Sequence, residues 1–344
     1  MSTRLTPTRL RQSRSAGRIG SVGPRALVFA LVVAAAVVLA VLFAPRPGAI
    51  VAALAGVSWV WMSLALVANA ASIALRAEAW RLLVTRPAQS IRPSRLTCLS
   101  AYSVGLLGNT LLPARVGEAA RVVVARRHLA PSPQRATLVA GSVLAQRCLD
   151  VAVFAALVAF VLGSGQAPAW VVGGTLAVAG AGLAALVAVV TVSRRASAWD
   201  ASRLLRPLRW LVAAIRDGFA VLSEPRIVGR AGALQAAGWI AQLLVVDLTL
   251  RAFATPVPLV ASALVLVLLN GILAFPLWPG GVGAYQAVVA LALVPYGVVS
   301  TTGLGLGLGI QAVESLVGVG FGLMFAAHEG LSLATLRRRG AGAR

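Results

Sequence analysis

Nine apolar runs separated by short polar segments dominate this sequence of 344 residues. An α-helix needs about 20 apolar residues to cross the hydrocarbon core of a bilayer, and most of the runs approach or exceed that length. The pattern therefore predicts an all-α polytopic membrane bundle. The runs cover residues 26–44, 50–75, 97–112, 136–162, 169–192, 231–253, 258–276, 282–299 and 304–327.

Composition supports a membrane protein and argues against a nucleic-acid-binding one. The chain is 59% hydrophobic and only 12% charged, which is typical of membrane proteins. Its net charge of +22 comes from arginines spread over the polar segments, with no aromatic-interleaved basic stripe of the kind that binds nucleic acid. Cys98 and Cys148 lie in or beside apolar segments without metal-like spacing, so we expect no metal and no cofactor.

The segment from Asn109 to Arg121, NTLLPARVGEAAR, interrupts the third apolar run. Pro113 ends the run, and Arg115, Glu118 and Arg121 follow closely. Non-helical backbone at membrane depth persists only where protein or water satisfies its polar groups, so such a break usually lines a cavity. We predict that this segment forms one wall of a binding site.

Arginine placement predicts the orientation, because short cytoplasmic loops retain positive charge. If the N-terminus is inside and the run 97–112 forms a re-entrant hairpin, 28 of the 31 arginines lie on the inner side. A full crossing by that run would place the eight arginines of 194–230 outside. We therefore expect eight spans in the inner (plasma) membrane, with both termini cytoplasmic.

The same reading divides the chain into a membrane domain and two tails. Residues 1–25 are predicted to be a disordered, basic cytoplasmic tail, and 328–344 a second basic tail. Residues 26–327 form the single transmembrane domain. Within it, 193–230 is predicted to be cytoplasmic and amphipathic, with a helix lying on the membrane surface.

A second break, PLWPGGVGAYQ, covers Pro276 to Gln286. Backbone N–H groups at a glycine-rich helix start suit a phosphate or carboxylate, although two glycines at a turn between helices more often reflect simple turn geometry. One interrupted segment in each half of a membrane protein points to an inverted repeat with a site at the midplane. The second break contains Pro279, Gly280, Gly281 and Gly283.

Ionisable residues inside membrane spans usually face a bundle interior or a cavity. Arg147 and Asp150 share one helical face and either contribute to a site or merely neutralise each other. Asp247 can pair with Arg251 four residues on. Glu314 has no such partner in its own helix, which makes it the better functional candidate.

These motifs resemble the transmembrane-region family of lysylphosphatidylglycerol synthases, also described as flippase-like membrane proteins. The resemblance covers about 26–327 and rests on GNTLLPARVGEAAR, RCLD at 147–150 and WPGGVGAYQ. It differs at Gln286, where the family often has an acidic residue. The resemblance implies functional positions at Asn109, Pro113, Arg115, Gly117, Glu118, Arg121, Arg147, Asp150, Pro279, Gly280, Gly281 and Gly283.

Full-length synthases of that family carry a soluble aminoacyl-transfer domain after the membrane region. This chain ends at Arg344 after an RRR stretch. Aminoacylating activity is therefore expected to be absent, and a non-enzymatic function is favoured.

The sequence therefore favours a protein that binds or translocates a lipid with an anionic headgroup, from a phospholipid or a polyprenyl-phosphate-linked lipid. Two alternatives stay open. One is a membrane-embedded transferase in which Glu118 or Asp150 acts as general base, and the other is an accessory subunit of a glycosyltransferase. The predicted headgroup site comprises Asn109, Arg115, Glu118, Arg121, Arg147, Asp150, Gly280, Gly281, Gly283, Gln286 and Glu314.

Overall fold

The computed structural model describes most of the central part of the chain. The described residues are 56–85, 91–111, 116–129, 133–166, 220–273 and 283–330, with scattered helical positions between 172 and 191. Residues 1–25, residues 331–344 of the second tail, the first apolar run and most of the amphipathic segment 193–230 lie outside them. So do the two break connections, 112–115 and 274–282, which contain Arg115, Gly280 and Gly281.

The fold is an all-α membrane bundle, as predicted. The described helices are α1 (Trp59–Val84), α2 (Arg95–Leu111), α3 (Val116–Arg127), α4 (Pro133–Gly163), α5 (Pro225–Ala252), α6 (Leu259–Leu273), α7 (Ala284–Leu293), followed by the 3-10 turn Val294–Tyr296, and α8 (Ser300–His328). Among them, α1, α4, α5 and α8 are long and apolar enough to cross a membrane, whereas α6 and α7 are shorter.

The contacts of α1 show the relative directions of the long helices. It runs antiparallel to α5, since the N–H of Ser58 donates to Ala252 O (2.9 Å) at one end and Ser72 Oγ donates to Gly238 O (2.8 Å) further along. It also runs antiparallel to α4, since Trp80 donates to Ser142 and Arg76 O accepts from Gln146. Helix α8 runs antiparallel to α5, where Gln242 bonds Glu314 and Phe253 lies against Gly309, and is therefore parallel to α1. The C-terminal ends of α1 and α8 therefore lie at the same end of the bundle as the N-terminal ends of α4 and α5.

Helices α2 and α3 form an antiparallel hairpin, held by close backbone approach, that enters from this end. A Cβ at Gly117 would lie 2.6 Å from Asn109 N, and one at Gly108 would lie 2.8 Å from Gly117 Cα. No side chain fits there. The open end of the hairpin is bound to the end of α8, since Ser100 Oγ donates to Glu329 Oε1 (2.7 Å).

Helices α6 and α7 form a second hairpin that enters from the opposite end. Ser262 of α6 donates to Asp247 Oδ1 (3.1 Å) near the end of α5. Helix α7 runs antiparallel to α8, where a Cβ at Gly307 would lie 2.6 Å from Gln286 Cα. Much of both helices is buried in the largest apolar cluster.

The two hairpins reach the same level of α8 from opposite ends. A Cβ at Gly322 would lie 3.0 Å from Ser103 O, so α2, running antiparallel to α8, ends near the middle of that helix at Leu111. The first turn of α7 reaches the middle from the other side, where Tyr285 bonds Glu314. Helix α2, which precedes the first break, therefore ends beside the centre of α8. Helix α7, which follows the second break, begins there.

The boundaries of α1 differ from those predicted. The predicted span covered 50–75, whereas the helix begins at Trp59 and continues to Val84. It can continue because its polar side chains have partners. Glu78 forms an ion pair with Arg81 at 2.7 Å, and the guanidinium of Arg76 lies over a tryptophan ring of α5.

Helix α5 also begins earlier than predicted, at Pro225 rather than at residue 231. Proline is favoured in the first turn of a helix, because its missing N–H would have no intrahelical partner there. The end of the amphipathic segment packs into the bundle, since Val221 is buried in a cluster with Leu83 and Ala231.

Candidate functional site

A charged cluster lies where the first turn of α3 meets α4. Arg147 Nη1 donates to Asp150 Oδ2 (2.9 Å), and Arg147 Nη2 donates to Glu118 Oε1. The Arg147 side chain is nevertheless 43% exposed. Two carboxylates thus hold the arginine in place while part of its side chain stays accessible.

Arg121, one turn after Glu118, is almost completely buried at 3% exposure. Its guanidinium lies 3.8 Å from the ring centroid of Trp80 and 4.6 Å from that of Tyr102. A cation over an aromatic face is stabilised by the ring quadrupole, more so when desolvated. Arg121 Nη2 also donates to Gln146 Oε1 (2.6 Å), so this arginine joins α3 to α1, α2 and α4.

Asp150 is the acceptor for three side chains. Besides Arg147, Gln235 Nε2 and Trp239 Nε1 (2.9 Å) both donate to its Oδ1. Gln146 Nε2 donates to Gln235 Oε1 (2.9 Å), which links this group to Arg121. A buried polar network is favourable when its members find partners, so α5 fixes the orientation of the Asp150 carboxylate.

A second polar group surrounds Glu314 in the middle of α8. Gln242 Nε2 donates to Glu314 Oε1 (2.5 Å), and the Tyr285 hydroxyl donates to Oε2. Gln286 Nε2 donates to Gln311 Oε1 (2.8 Å). The first turn of α7 is therefore bound to α8 through its side chains.

Gly283 precedes α7 in a conformation that favours glycine, with φ of 82°. Its N–H donates to Gln286 Oε1 (2.7 Å), so the glutamine satisfies a backbone donor at the start of the helix. Gly283 and Gln286, both predicted site residues, therefore lie in the same turn and bond to each other.

Helix α1 connects the two polar groups. Ser72 Oγ lies 3.2 Å from Gln242 Oε1, and Gln146 donates to Arg76 O (2.9 Å). The guanidinium of Arg76 lies 4.9 Å from the ring centroid of Trp239. Polar side chains therefore run from the tip of the first hairpin to the start of α7.

The predicted site residues separate into these two groups. Glu118, Arg121, Arg147 and Asp150 meet at the first hairpin, whereas Gly283, Gln286 and Glu314 meet at the second. Asn109 packs against Gly117 at the end of α2. Arg115, Gly280 and Gly281 lie outside the described residues.

Asp247 and Arg251 form the local pair that the sequence predicted. Arg251 Nε donates to Asp247 Oδ2 (2.7 Å), near the end of α5 that faces away from the first hairpin. This pair is separate from both polar groups.

Sequence reasoning missed most of the aromatic and amide members of the network. One signal was present, because Gln235, Trp239 and Gln242 are spaced four and three residues apart and so share one helical face. Trp80 and Arg76 have the same spacing of four. The other missed residues are Tyr102 and Tyr285.

Glu329, just beyond α8, makes polar contacts with charged residues at the open end of the first hairpin. Both carboxylate oxygens lie 3.0 Å from His128 Nε2, and its backbone O accepts from Arg127 (3.0 Å). Burial acts to raise the pKa of Glu329, but the hydrogen bonds from Ser100 and His128 and the charges of His128 and Arg127 together lower it.

Metal binding has no support in the part of the chain that the structure describes. No group of three or more histidine, cysteine, aspartate or glutamate side chains there could hold a metal ion. The arrangement is instead one of hydrogen-bonded charges around a half-exposed arginine.

The sequence matches the model of one known protein family. The family model described as lysylphosphatidylglycerol synthase TM region matches residues 27–322. The chain belongs to this family. No curated protein and no solved structure matches the chain.

The matched range contains all the residues of both polar groups and both hairpins. Membership of the lysylphosphatidylglycerol synthase TM family makes this an integral membrane protein linked to lipid handling. It also agrees with the family that the sequence motifs resembled.

Proposed function

We propose that this protein binds the anionic headgroup of a membrane lipid at the tip of the first hairpin and moves that lipid between the two leaflets. One observation carries the proposal. Arg147 is a half-exposed cation in the middle of α4, held by two carboxylates, one of which lies in the first turn of α3 after the first break. An exposed arginine at that depth usually marks a substrate pathway.

Arginine suits an anionic headgroup, because its planar fork can donate two hydrogen bonds to a phosphate. The Nη2 group of Arg147 is bonded to Glu118, which lies in the first turn of α3. A phosphate that displaced Glu118 would meet both Arg147 and the positive end of the α3 dipole. Glu118 thus keeps the empty site neutral, and Asp150 keeps the guanidinium oriented.

Arg121 supports this site from behind. Because it lies between two aromatic rings and is buried, it fixes the position of α3 relative to α1 and α2. We assign it the role of positioning Glu118, whose Oε2 lies 3.9 Å from Arg121 Nη1. The sequence also predicts Arg115, Gly280 and Gly281 for the headgroup site, and these residues lie outside the described part of the chain.

The two hairpins favour a translocation path. Each consists of two short helices, and they enter from opposite ends of the bundle. We infer that both are re-entrant elements related as an inverted repeat, a plan in which transporters build a midplane site from broken helices. Gln286 and Glu314 would bound the site on the side of the second hairpin.

Charge favours a cytoplasmic location for the open end of the first hairpin. Arginines cluster at this end, whereas Arg251 lies at the other. By the positive-inside tendency, we infer that the first hairpin opens toward the cytoplasm of a cell with this protein in its plasma membrane. The arginines of this end include Arg81, Arg95, Arg126, Arg127, Arg226 and Arg230.

The proposal can be tested with purified protein in liposomes that contain a fluorescent phosphatidylglycerol or, separately, a labelled polyprenyl phosphate. The rate of exchange between leaflets is measured by quenching the outer label. A hydrogen bond to a charged group is worth about 1.5–3 kcal/mol, so Arg147→Gln should slow exchange about tenfold or more.

Arg251→Gln is the matched control. Arg251 is 44% exposed and bonded to an aspartate on its own helix, much like Arg147, but it lies away from the site. Exchange should persist in this variant. Equal rates in wild type and Arg147→Gln, or no exchange in wild type, would contradict the proposal, and recovery of a chemically altered lipid would favour the transferase alternative.

A further inference from the structure

Glu314 is a carboxyl group at the centre of a membrane-spanning helix, and it forms no ion pair with any described residue. It lies 14 residues from each end of α8, which is about 21 Å at the helical rise. In the part of the chain that the structure describes, no arginine or histidine lies within ion-pair distance of it. The other carboxylates within described helices all have such a partner, namely Glu78, Glu118, Asp150 and Asp247.

Neutral donors hold Glu314 instead. Gln242 of α5 donates to Oε1 (2.5 Å), and Tyr285 of α7 donates to Oε2. From α1, Arg76 acts on Glu314 only at longer range, because its guanidinium lies over the ring of Trp239.

The other described helices packed against α8 add no charge near Glu314. Helix α2 approaches α8 at Gly322 through Ser103 and Leu107, neither of which titrates. Asn69 of α1 donates to Val313 O (3.1 Å) and is neutral at every pH. Tyr285 and Arg76 are therefore the ionisable groups that face Glu314 from the described helices packed against α8.

An isolated carboxylate in an apolar bundle is costly, and it can become neutral by taking up a proton. A carboxylate accepts hydrogen bonds at both oxygens, whereas a carboxylic acid uses one O–H as a donor. Hydrogen bonds to an ionised acceptor are also roughly twice as strong as neutral ones. Protonation of Glu314 would therefore weaken its bonds from Gln242 and Tyr285.

Tyr285 is the second residue of α7 and follows the second break directly. Its hydroxyl makes a polar contact between the first turn of α7 and α8, and another polar contact joins Gln286 to Gln311. We propose that Glu314 is a proton-binding site and that a proton taken up on Oε2 releases the first turn of α7 from α8. The tyrosine keeps its own proton throughout.

This site would couple a proton gradient to movement of the second hairpin, a consequence that rests on the proposed lipid translocation. The proton-binding step itself does not. It can therefore be measured without any transport assay.

Infrared difference spectra of the protein in lipid, recorded between acid and neutral pH, test the proton site. A protonated carboxyl group gives a C=O band that shifts in heavy water. Glu314→Gln should remove one such band, and Asp247→Asn, which removes another carboxylate from the membrane domain, should leave it. An unchanged band in Glu314→Gln would overturn the proposal.

Tyr285→Phe gives a second test that keeps the carboxyl group. Without the phenol donor, the Glu314 band should shift in frequency but stay present. A band that does not shift would show that the group titrating in the spectrum is not the one bonded to Tyr285, which would also overturn the proposal.

Liposome exchange under a pH gradient separates this inference from the proposed function. A gradient should change the exchange rate in wild type and have no effect in Glu314→Gln. If wild type shows the band but no exchange, the proton site stands and translocation fails. If exchange occurs while Glu314→Gln retains both the band and the gradient effect, the proton site fails and translocation stands.

Discussion

The two hairpins reach the same level of the bundle but are held by different interactions. The first, α2 and α3, is bound through charge, with Arg121 between two aromatic rings and Glu118 on Arg147. The second, α6 and α7, is buried in the largest apolar cluster, and its described polar bonds near the break are to neutral donors and Glu314.

Under the proposed function, this difference gives the two hairpins different roles. The charged tip of the first hairpin would bind the anion, and its position is fixed because Arg147 is hydrogen-bonded to both carboxylates. Among the described residues, the second hairpin has only neutral donors and Glu314 near its break, and it is the hairpin that we propose moves.

The largest expected effect comes from removing the close backbone approach within the first hairpin. In Gly117→Ala, the new Cβ would meet backbone atoms of Gly105 and Asn109, so the two helices must separate. Overpacking of this kind costs about 3 kcal/mol or more. Thermal unfolding in detergent should show the loss, together with loss of lipid exchange.

Gly318→Ala is the control for that substitution, because a Cβ there meets nothing within 4 Å. Its stability should be unchanged or slightly higher, as expected for alanine in a helix. Gly307→Ala tests the same kind of close approach at the second hairpin, where the new Cβ would meet Gln286. Its stability should therefore fall as well. Equal stability of Gly117→Ala and Gly318→Ala would break the account of the first hairpin.

Replacing Arg121 should have the next largest effect. Arg121→Met removes a desolvated cation from two aromatic faces, which costs about 2 kcal/mol, and leaves Gln146 Oε1 without its donor. Arg121→Lys keeps the charge but loses the planar stacking, so it should lie between wild type and Arg121→Met. The free energy of unfolding measures the effect of both substitutions. A methionine variant as stable as wild type would contradict the stabilising role of the Arg121 guanidinium.

Acid should loosen the open end of the first hairpin. The lowered pKa of Glu329 means that its bonds stabilise the fold at pH above the ordinary range for glutamate, and that this contribution disappears as pH falls through the lowered value. The contribution is about 1 kcal/mol, since His128 is partly exposed. Wild type and Glu329→Gln should differ in unfolding temperature at neutral pH and converge in acid; a constant difference would contradict it.

The smallest effect concerns the base of the second hairpin. Ser262 is fully buried and donates to Asp247, so Ser262→Ala should cost about 1 kcal/mol. Lipid exchange should hardly change, because this contact is far from the site. A large loss of exchange would show that the second hairpin also depends on its polar base.

Much of this architecture follows from the sequence. Apolar runs of membrane length predict the long helices, and Pro113 and the glycines after residue 279 predict two interruptions. The spacing of Arg147 and Asp150 predicts that they share one helical face. These signals are local, since each depends on residues within one or two helical turns.

The missed features are those that depend on neighbouring helices. Residue 76 looks like the end of a span because an arginine in hydrocarbon is costly, yet Trp239 covers its guanidinium and the helix continues. Likewise, the sequence does not reveal that Arg121 lies between Trp80 and Tyr102, because these come from two other helices. Pairing across the bundle decides whether a charge is exposed or buried.

The central claim is that Arg147 holds an anionic headgroup, and native mass spectrometry of gently solubilised protein tests it most directly. Wild type and Arg251→Gln should each retain a bound phospholipid or polyprenyl phosphate, whereas Arg147→Gln should lose it while remaining folded. The same lipid at the same occupancy in all three proteins would contradict the claim.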